Sequence, residues 1–174
     1  MPKPYLIIIA GRIGSGKTTL AKNISNDFYM PLISRDQIKE GYVHTLGRNH
    51  SELPQETNEI VSDIFFDTLK LLLANNVSVV AEAAFRHGVW AAKLEGFKDN
   101  AQIHFLICKV DDKTAFDRYI KRGLNDTFRE YFHGNKSVED VYEEPRFNIP
   151  TYYIDTLNEY KPSIRELRKT ILNF

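Results

Sequence analysis

Cysteine is almost missing from this chain: Cys108 is the only one in 174 residues. A lone thiol forms no internal disulfide and no zinc cluster, so a reducing compartment is the expectation. An excess of charge of one sign is missing too. Lysine plus arginine number 23, aspartate plus glutamate 23, and the formal net charge is zero. Broad electrostatic capture of nucleic acid rests on a basic excess. Extended nucleic-acid tracts are therefore not expected as partners, while a local basic pocket stays open. Long apolar runs are also scarce. The longest near the amino end, Leu6 to Ala10, is too short for a membrane span or a signal peptide. A cytoplasmic protein without a membrane partner is expected. No internal repeat, low-complexity tract or linker-like segment interrupts the chain. With 43% hydrophobic and 26% charged residues, the length suits one domain over residues 1–174.

Short apolar runs alternate with helical patterns. Tyr5–Ala10 is a continuous β-branched run ending in glycine, as in strands buried on both faces. Lys17–Phe28 follows with Leu20, Ala21, Ile24 and Phe28 at helical spacing. Pro31–Ser34 reads as a second strand. Asp36–Gly41 reads as a helical turn and Gly41–Pro54 as mostly irregular. Gln55–Asn75 predicts a long helix burying Ile60, Ile64, Leu69, Leu72 and Leu73. Val77–Ala81 is the third strand, Gly88–Phe97 a helix and Gln102–Val110 the fourth strand. Thr114–Gly123 predicts a helix with Ala115, Phe116, Tyr119 and Ile120 on one side and Gly123 as its stop. Thr151–Asp155 is the fifth strand. Ser163 and Glu166 form a capping box for a last helix through Phe174. This alternation predicts an α/β fold with a five-stranded parallel sheet between helices on both faces. Ligands then lie beyond the carboxyl ends of the strands.

Directly after the first strand stands Gly11-Arg12-Ile13-Gly14-Ser15-Gly16-Lys17-Thr18, a full match to G-x-x-x-x-G-K-[ST] between a strand and a helix. Glycines let the backbone curl so that successive N–H groups converge on phosphate oxygens at a helix N-terminus. Lys17 suits the β- and γ-phosphates and Thr18 suits Mg²⁺. Thr19 counts with the loop as a binding residue while also opening the helix. Nucleotide triphosphate and Mg²⁺ are thus the expected ligands. A GTPase's Asn-Lys-x-Asp is not met, because Ser137 and Val138 follow Asn135-Lys136. No strand ends in the paired acids of a large ATPase motor. None of His44, His50, His87, His104 and His133 forms the helical pair of a metalloprotease. Ser15 has Ile13 and Lys17 where a Gly-x-Ser-x-Gly hydrolase elbow needs glycine. A compact kinase type remains.

Gly11–Thr18, then Ser34-Arg35-Asp36, then Glu82 after the third strand, then Asp117-Arg118-Tyr119-Ile120-Lys121-Arg122, together resemble small P-loop kinases. The similarity is to chloramphenicol phosphotransferase, zeta toxin and the kinase domain of polynucleotide kinase, with adenylate kinase more distant. The resemblance implies the three-layer P-loop NTPase fold with strand order 2-3-1-4-5, and an ATP-dependent kinase acting on a hydroxyl. It implies that Asp36 takes the hydroxyl's proton, a role that phosphoryl transfer makes chemically sensible. Asp is also a favoured helix N-cap, and both roles stand. It further implies that Arg118 stacks on adenine, that Arg122 reaches the phosphates, and that Leu157–Tyr160 contacts the base. Glu82 can orient the metal through water, bond the acceptor, or simply end a strand in solvent. Ser34 and Arg35 are weaker candidates, as are Arg86 and His87.

Asn125–Pro150 is too long for an ordinary loop and reads as a lid or helical insertion. Arg129 is a candidate phosphate clamp there, and Phe128, Tyr131 and Phe132 can close over a ligand or pack the insertion. Gly41–Glu56, with His44, Arg48, Asn49 and His50, suits a hydroxylated or anionic acceptor. A small metabolite, an antibiotic, a nucleotide sugar and a nucleic-acid 5′ end all fit. Two rival readings share the phosphate loop: an ATP-binding regulatory module without transfer, and a slow ATP hydrolase.

Overall fold

A computed structural model describes residues 2–84, 87–125 and 142–173. The strands are β1 (Tyr5–Gly11), β2 (Leu32–Ser34), β3 (Val79–Glu82), β4 (Gln102–Lys109) and β5 (Thr151–Asp155). They pair in parallel in the order β2-β3-β1-β4-β5, which is the expected 2-3-1-4-5. The helices are α1 (Lys17–Phe28), α2 (Arg35–Leu46), α3 (Thr57–Ala74), α4 (His87–Lys98), α5 (Asp112–Asn125) and α6 (Ile164–Leu172). Among the described residues, no helix is long and apolar enough to cross a membrane.

Alternation along β1 divides the core between the two faces of the sheet, because successive strand side chains point opposite ways. Leu6, Ile8 and Ala10 pack with Val79, Ala81 and Phe105 against Phe65, Phe66 and Leu69 of α3 and Trp90 and Leu94 of α4. Ile7 and Ile9 pack with Val80, Leu106 and Ile154 against Leu20 and Ile24 of α1 and Leu167 and Ile171 of α6. β1 is buried from both sides, as its unbroken apolar run predicts, and its carboxyl end delivers Gly11 to the middle of the sheet.

Three local expectations are corrected. α2 is a full 12-residue helix rather than a turn, and it runs through Gly41 to a left-handed cap at Gly47. A Cβ on Gly41 would meet no atom within 4 Å, so it sits on the open face, while Val43 is buried on the other. On α3 the buried apolar residues are Val61, Phe65, Phe66, Leu69 and Leu73; Ile60 and Ile64 face outward, Ile64 at 42% exposure. The two phenylalanines meet Trp90 edge-on, and that aromatic cluster sets the helix's rotation. On α5, among the described residues, only Ala115 is buried, Phe116 and Ile120 are exposed, and the helix continues past Gly123. α6 carries the predicted capping box: Ser163 accepts from the Glu166 amide, and Glu166 accepts from the Ser163 amide at 2.8 Å.

Candidate active site

The loop between β1 and α1 has the backbone that its glycines predict. Gly14 and Gly16 take φ values of 75° and 90°. A Cβ on Gly14 would lie 2.0 Å from the Ala115 carbonyl oxygen, so the loop rests directly on the first turns of α5. That seat explains why Ala115, the smallest apolar residue of α5, is its buried one. Arg12 reaches from the loop to an ion pair with Asp112, also on α5.

Lys17 opens α1, and its Nζ donates to the Arg12 carbonyl at 3.1 Å across the loop. Burial pushes its ammonium below the ordinary lysine value. Glu82 leads the groups that pull it back, Asp36 also acts in that direction, and Arg122 pushes it further down. These electrostatic ties bring together residues from α1, β3, α2 and α5 that lie far apart in the chain. The ammonium is stored where water solvates it poorly, and an anion entering the loop would relieve that cost.

Glu82 is the last residue of β3 rather than the first after it, and it is 3% exposed. Its carboxylate has fixed partners. Ser34 Oγ donates to Oε2 at 2.7 Å, and Thr18 Oγ1 donates to Oε1 at 3.3 Å. A merely solvated strand end does not have this geometry. Ser34 and Glu82 are register partners across β2 and β3. Asp36 lies two residues after Ser34, in the first turn of α2.

The donor set can be tested against a divalent cation. Among the described residues, no group of three or more histidine, cysteine or acidic side chains could hold a metal. A hydroxyl beside one carboxylate suits Mg²⁺, which takes one or two protein oxygens and completes its shell with phosphate oxygens and water. The residues therefore fit a metal that arrives with a nucleotide.

Arg118 is committed to the loop after β5. Its Nη2 donates to the carbonyls of Thr156 at 2.8 Å and Leu157 at 2.9 Å. Thr156 went unnoticed in the sequence. It is buried, its hydroxyl donates to the Ser15 carbonyl at 2.7 Å, and its amide donates to the Lys109 carbonyl at 3.0 Å. It therefore joins the phosphate loop, the end of β4 and the Leu157–Tyr160 loop. The available signal is position: a polar residue immediately beyond the carboxyl end of a parallel strand. Lys39, 4% exposed, was missed as well; its Nζ lies 3.1 Å from Nδ1 of His50, one turn beyond Asp36.

Other candidates lie apart. Arg35 turns to α3, where it donates to Ser62 Oγ and the Asn58 carbonyl. His44 and Arg48 are exposed. Asn49 caps the short 3₁₀ turn His50–Glu52. The His87 ring stacks on Phe147 at 4.6 Å. Thr19 is exposed on α1. Cys108, opposite Gly11 in the β1–β4 register, is buried, and its thiol is pushed up to about 12. Arg86, Phe128, Arg129, Tyr131 and Phe132 lie outside the described residues, as does most of the expected lid at 125–150.

The sequence profile of the AAA domain family matches residues 6–141, more than half of the chain. The chain belongs to the AAA domain family. Within that family's P-loop architecture, this AAA domain shares its fold with solved kinases. A candidate kinase from Chloroflexus aurantiacus is 18% identical, with 99% of this chain and 98% of that one covered and a TM-score of 0.84. The APS kinase of Mycobacterium tuberculosis, solved with AMPPNP and APS, is 14% identical over 99% of this chain and 98% of that one, with a TM-score of 0.68. A chain of the PezAT toxin–antitoxin system of Streptococcus pneumoniae is 15% identical over 75% of this chain and 60% of that one, with a TM-score of 0.60. No curated protein matches the sequence.

Proposed function

We propose that this AAA domain is a cytoplasmic, ATP-dependent kinase that transfers the γ-phosphoryl group to a hydroxyl of its acceptor. The observation that carries the reading is the hydrogen-bonded row Thr18–Glu82–Ser34, which ties the start of α1 to the start of α2, where Asp36 stands two residues beyond Ser34. A loop that only held a nucleotide would need the lysine and the threonine. It would have no use for a carboxylate that joins the threonine to the helix carrying Asp36.

In this reading the backbone N–H groups of Gly14–Thr18 and the Lys17 ammonium hold the β- and γ-phosphates. Thr18, with Glu82 behind it, would hold Mg²⁺, which neutralises charge on the phosphates when bound. Asp36 accepts the acceptor hydroxyl's proton as its oxygen bonds to the γ-phosphorus. The bond from that phosphorus to the β,γ-bridging oxygen breaks, and ADP leaves. Arg122 spreads over the developing charge, and a guanidinium stays cationic throughout. Arg118 faces the base while keeping the Thr156 and Leu157 carbonyls in place. The acceptor lies between α2 and the sheet. Zero net charge favours a small hydroxylated molecule over a nucleic-acid tract, because phosphate contacts consume lysine and arginine. The end-to-end likeness to APS kinase supports the same choice.

The test is incubation with γ-labelled ATP and Mg²⁺ against pooled metabolites, aminoglycoside and phenicol antibiotics, nucleotide sugars and 5′-hydroxyl oligonucleotides, with mass spectrometry of labelled products. A labelled acceptor is expected. ADP released at the same rate with and without every pool would instead make the protein a hydrolase. Tight ATP binding with no product would make it a regulatory module.

A further inference from the structure

Ser34 occupies the N-cap of α2, with extended backbone at φ −109° and ψ 126°. Serine at that position normally accepts a hydrogen bond from an amide of the first turn, which stabilises the helix. Ser34 makes no such bond. Its hydroxyl donates to Glu82 Oε2 at 2.7 Å instead, and both residues are shut off from water at 4% and 3% exposure. A hydroxyl-to-carboxylate bond in a dry setting is short and strong.

We propose that Ser34 is a positioning residue that aims the Thr18 hydroxyl at the divalent cation by holding Glu82. With Oε2 fixed by Ser34, the carboxylate has no freedom to rotate away, and Oε1 stays toward Thr18 at 3.3 Å. Thr18 then directs its one proton to Glu82, which turns its lone pairs away from Glu82 and toward the phosphate loop. A hydroxyl free to rotate would offer those lone pairs only part of the time. The same serine begins the helix that carries Asp36, so one hydroxyl sets the acceptor helix against the metal-binding threonine. The missing cap is the cost of this arrangement. Ordering a metal ligand through a residue behind it is a recurrent way of raising metal affinity, by about 10- to 100-fold. This assignment rests on the nucleotide–Mg²⁺ reading above.

Calorimetry separates the two. ATP is titrated into the wild type, Ser34→Ala and Ser34→Thr, each once with excess Mg²⁺ and once with EDTA. The gain in ATP affinity brought by Mg²⁺ is expected to shrink about tenfold in Ser34→Ala, which is about 1.4 kcal/mol. Its metal-free affinity should stay within about twofold of wild type. Ser34→Thr keeps the hydroxyl and should restore the gain. Should Ser34→Ala fold poorly, Ser34→Cys, with a weaker donor, carries the same comparison. An unchanged Mg²⁺ gain in Ser34→Ala, or equal losses with Mg²⁺ and with EDTA, overturns the assignment and leaves the kinase reading standing. A wild type that binds no ATP in either condition overturns both.

Discussion

Thr18 and Glu82 meet at 3.3 Å, the threonine from the first turn of α1 and the glutamate from the end of β3, 64 positions apart in the chain. β3 lies beside β1 in the sheet, so the strand that delivers the phosphate loop also runs next to the carboxylate that backs it. The contact follows from strand order. Had β4 and β3 exchanged places, Leu106, the β4 partner of Ile9, would stand where Glu82 does.

Lys17→Met should abolish ATP binding and make the free protein more stable. The ammonium is held at a cost, since burial lowers its proton affinity. A methionine of similar length places no charge there. Unfolding by heat or denaturant should show a gain of about 1 kcal/mol, in the range usual for relieving a strained functional position. A marked loss of stability would show that Lys17 holds the fold together instead.

The same lysine makes binding pH-dependent. Its proton affinity is depressed below 10.5 in the free protein, and phosphate oxygens around it would restore it. Between the depressed value and the restored one, binding takes up a proton, so ATP affinity should fall as pH rises through that window, by up to about tenfold per unit. Titrations in buffers of different ionisation enthalpy measure the uptake directly. The folding contribution has the opposite sense. A depressed lysine weakens the fold fully below its folded value, and that penalty lifts as pH rises towards 10.5. Proton release on binding, or none anywhere above neutral pH, would contradict the assignment.

Asp36→Asn removes the proton acceptor but keeps the shape. Turnover on the acceptor found by the labelling screen should fall by about 10²- to 10⁴-fold, the usual range for a general base. The ATP dissociation constant should stay within about threefold, because Asp36 stands on α2 and not in the phosphate loop. Undiminished turnover would leave Asp36 with its place in the first turn of α2 and no chemical part.

Gly14→Ala should damage fold and site together. The added methyl would sit 2.0 Å from the Ala115 carbonyl oxygen, and the backbone there has φ 75°. Backbone cannot yield as the tip of a side chain can, so a loss of several kcal/mol in stability is expected. Gly41→Ala is the control: Gly41 lies inside α2, its added methyl would meet nothing within 4 Å, and alanine there should stabilise by up to about 1 kcal/mol.

Local pattern accounts for much of this protein. The apolar run of β1 followed by glycine, lysine and threonine already named a phosphate loop, because strand burial, backbone curvature and charge placement are all properties of short segments. The alternation of strands and helices already called for a parallel sheet, since parallel strands require crossovers. What short segments cannot carry is rotation and reach. Ile60 and Ile64 have the same spacing as the buried face of α3, and only the Phe65–Phe66–Trp90 cluster decided which face turns inward. Ser34 reads as a helix cap until β2 is laid beside β3 and its hydroxyl finds Glu82 instead. Thr156 reads as an ordinary loop residue until β5 brings it under Ser15. Hydrogen bonds act over about 3 Å, so a bond between residues 48 or 141 positions apart exists only once the sheet has brought their strands together.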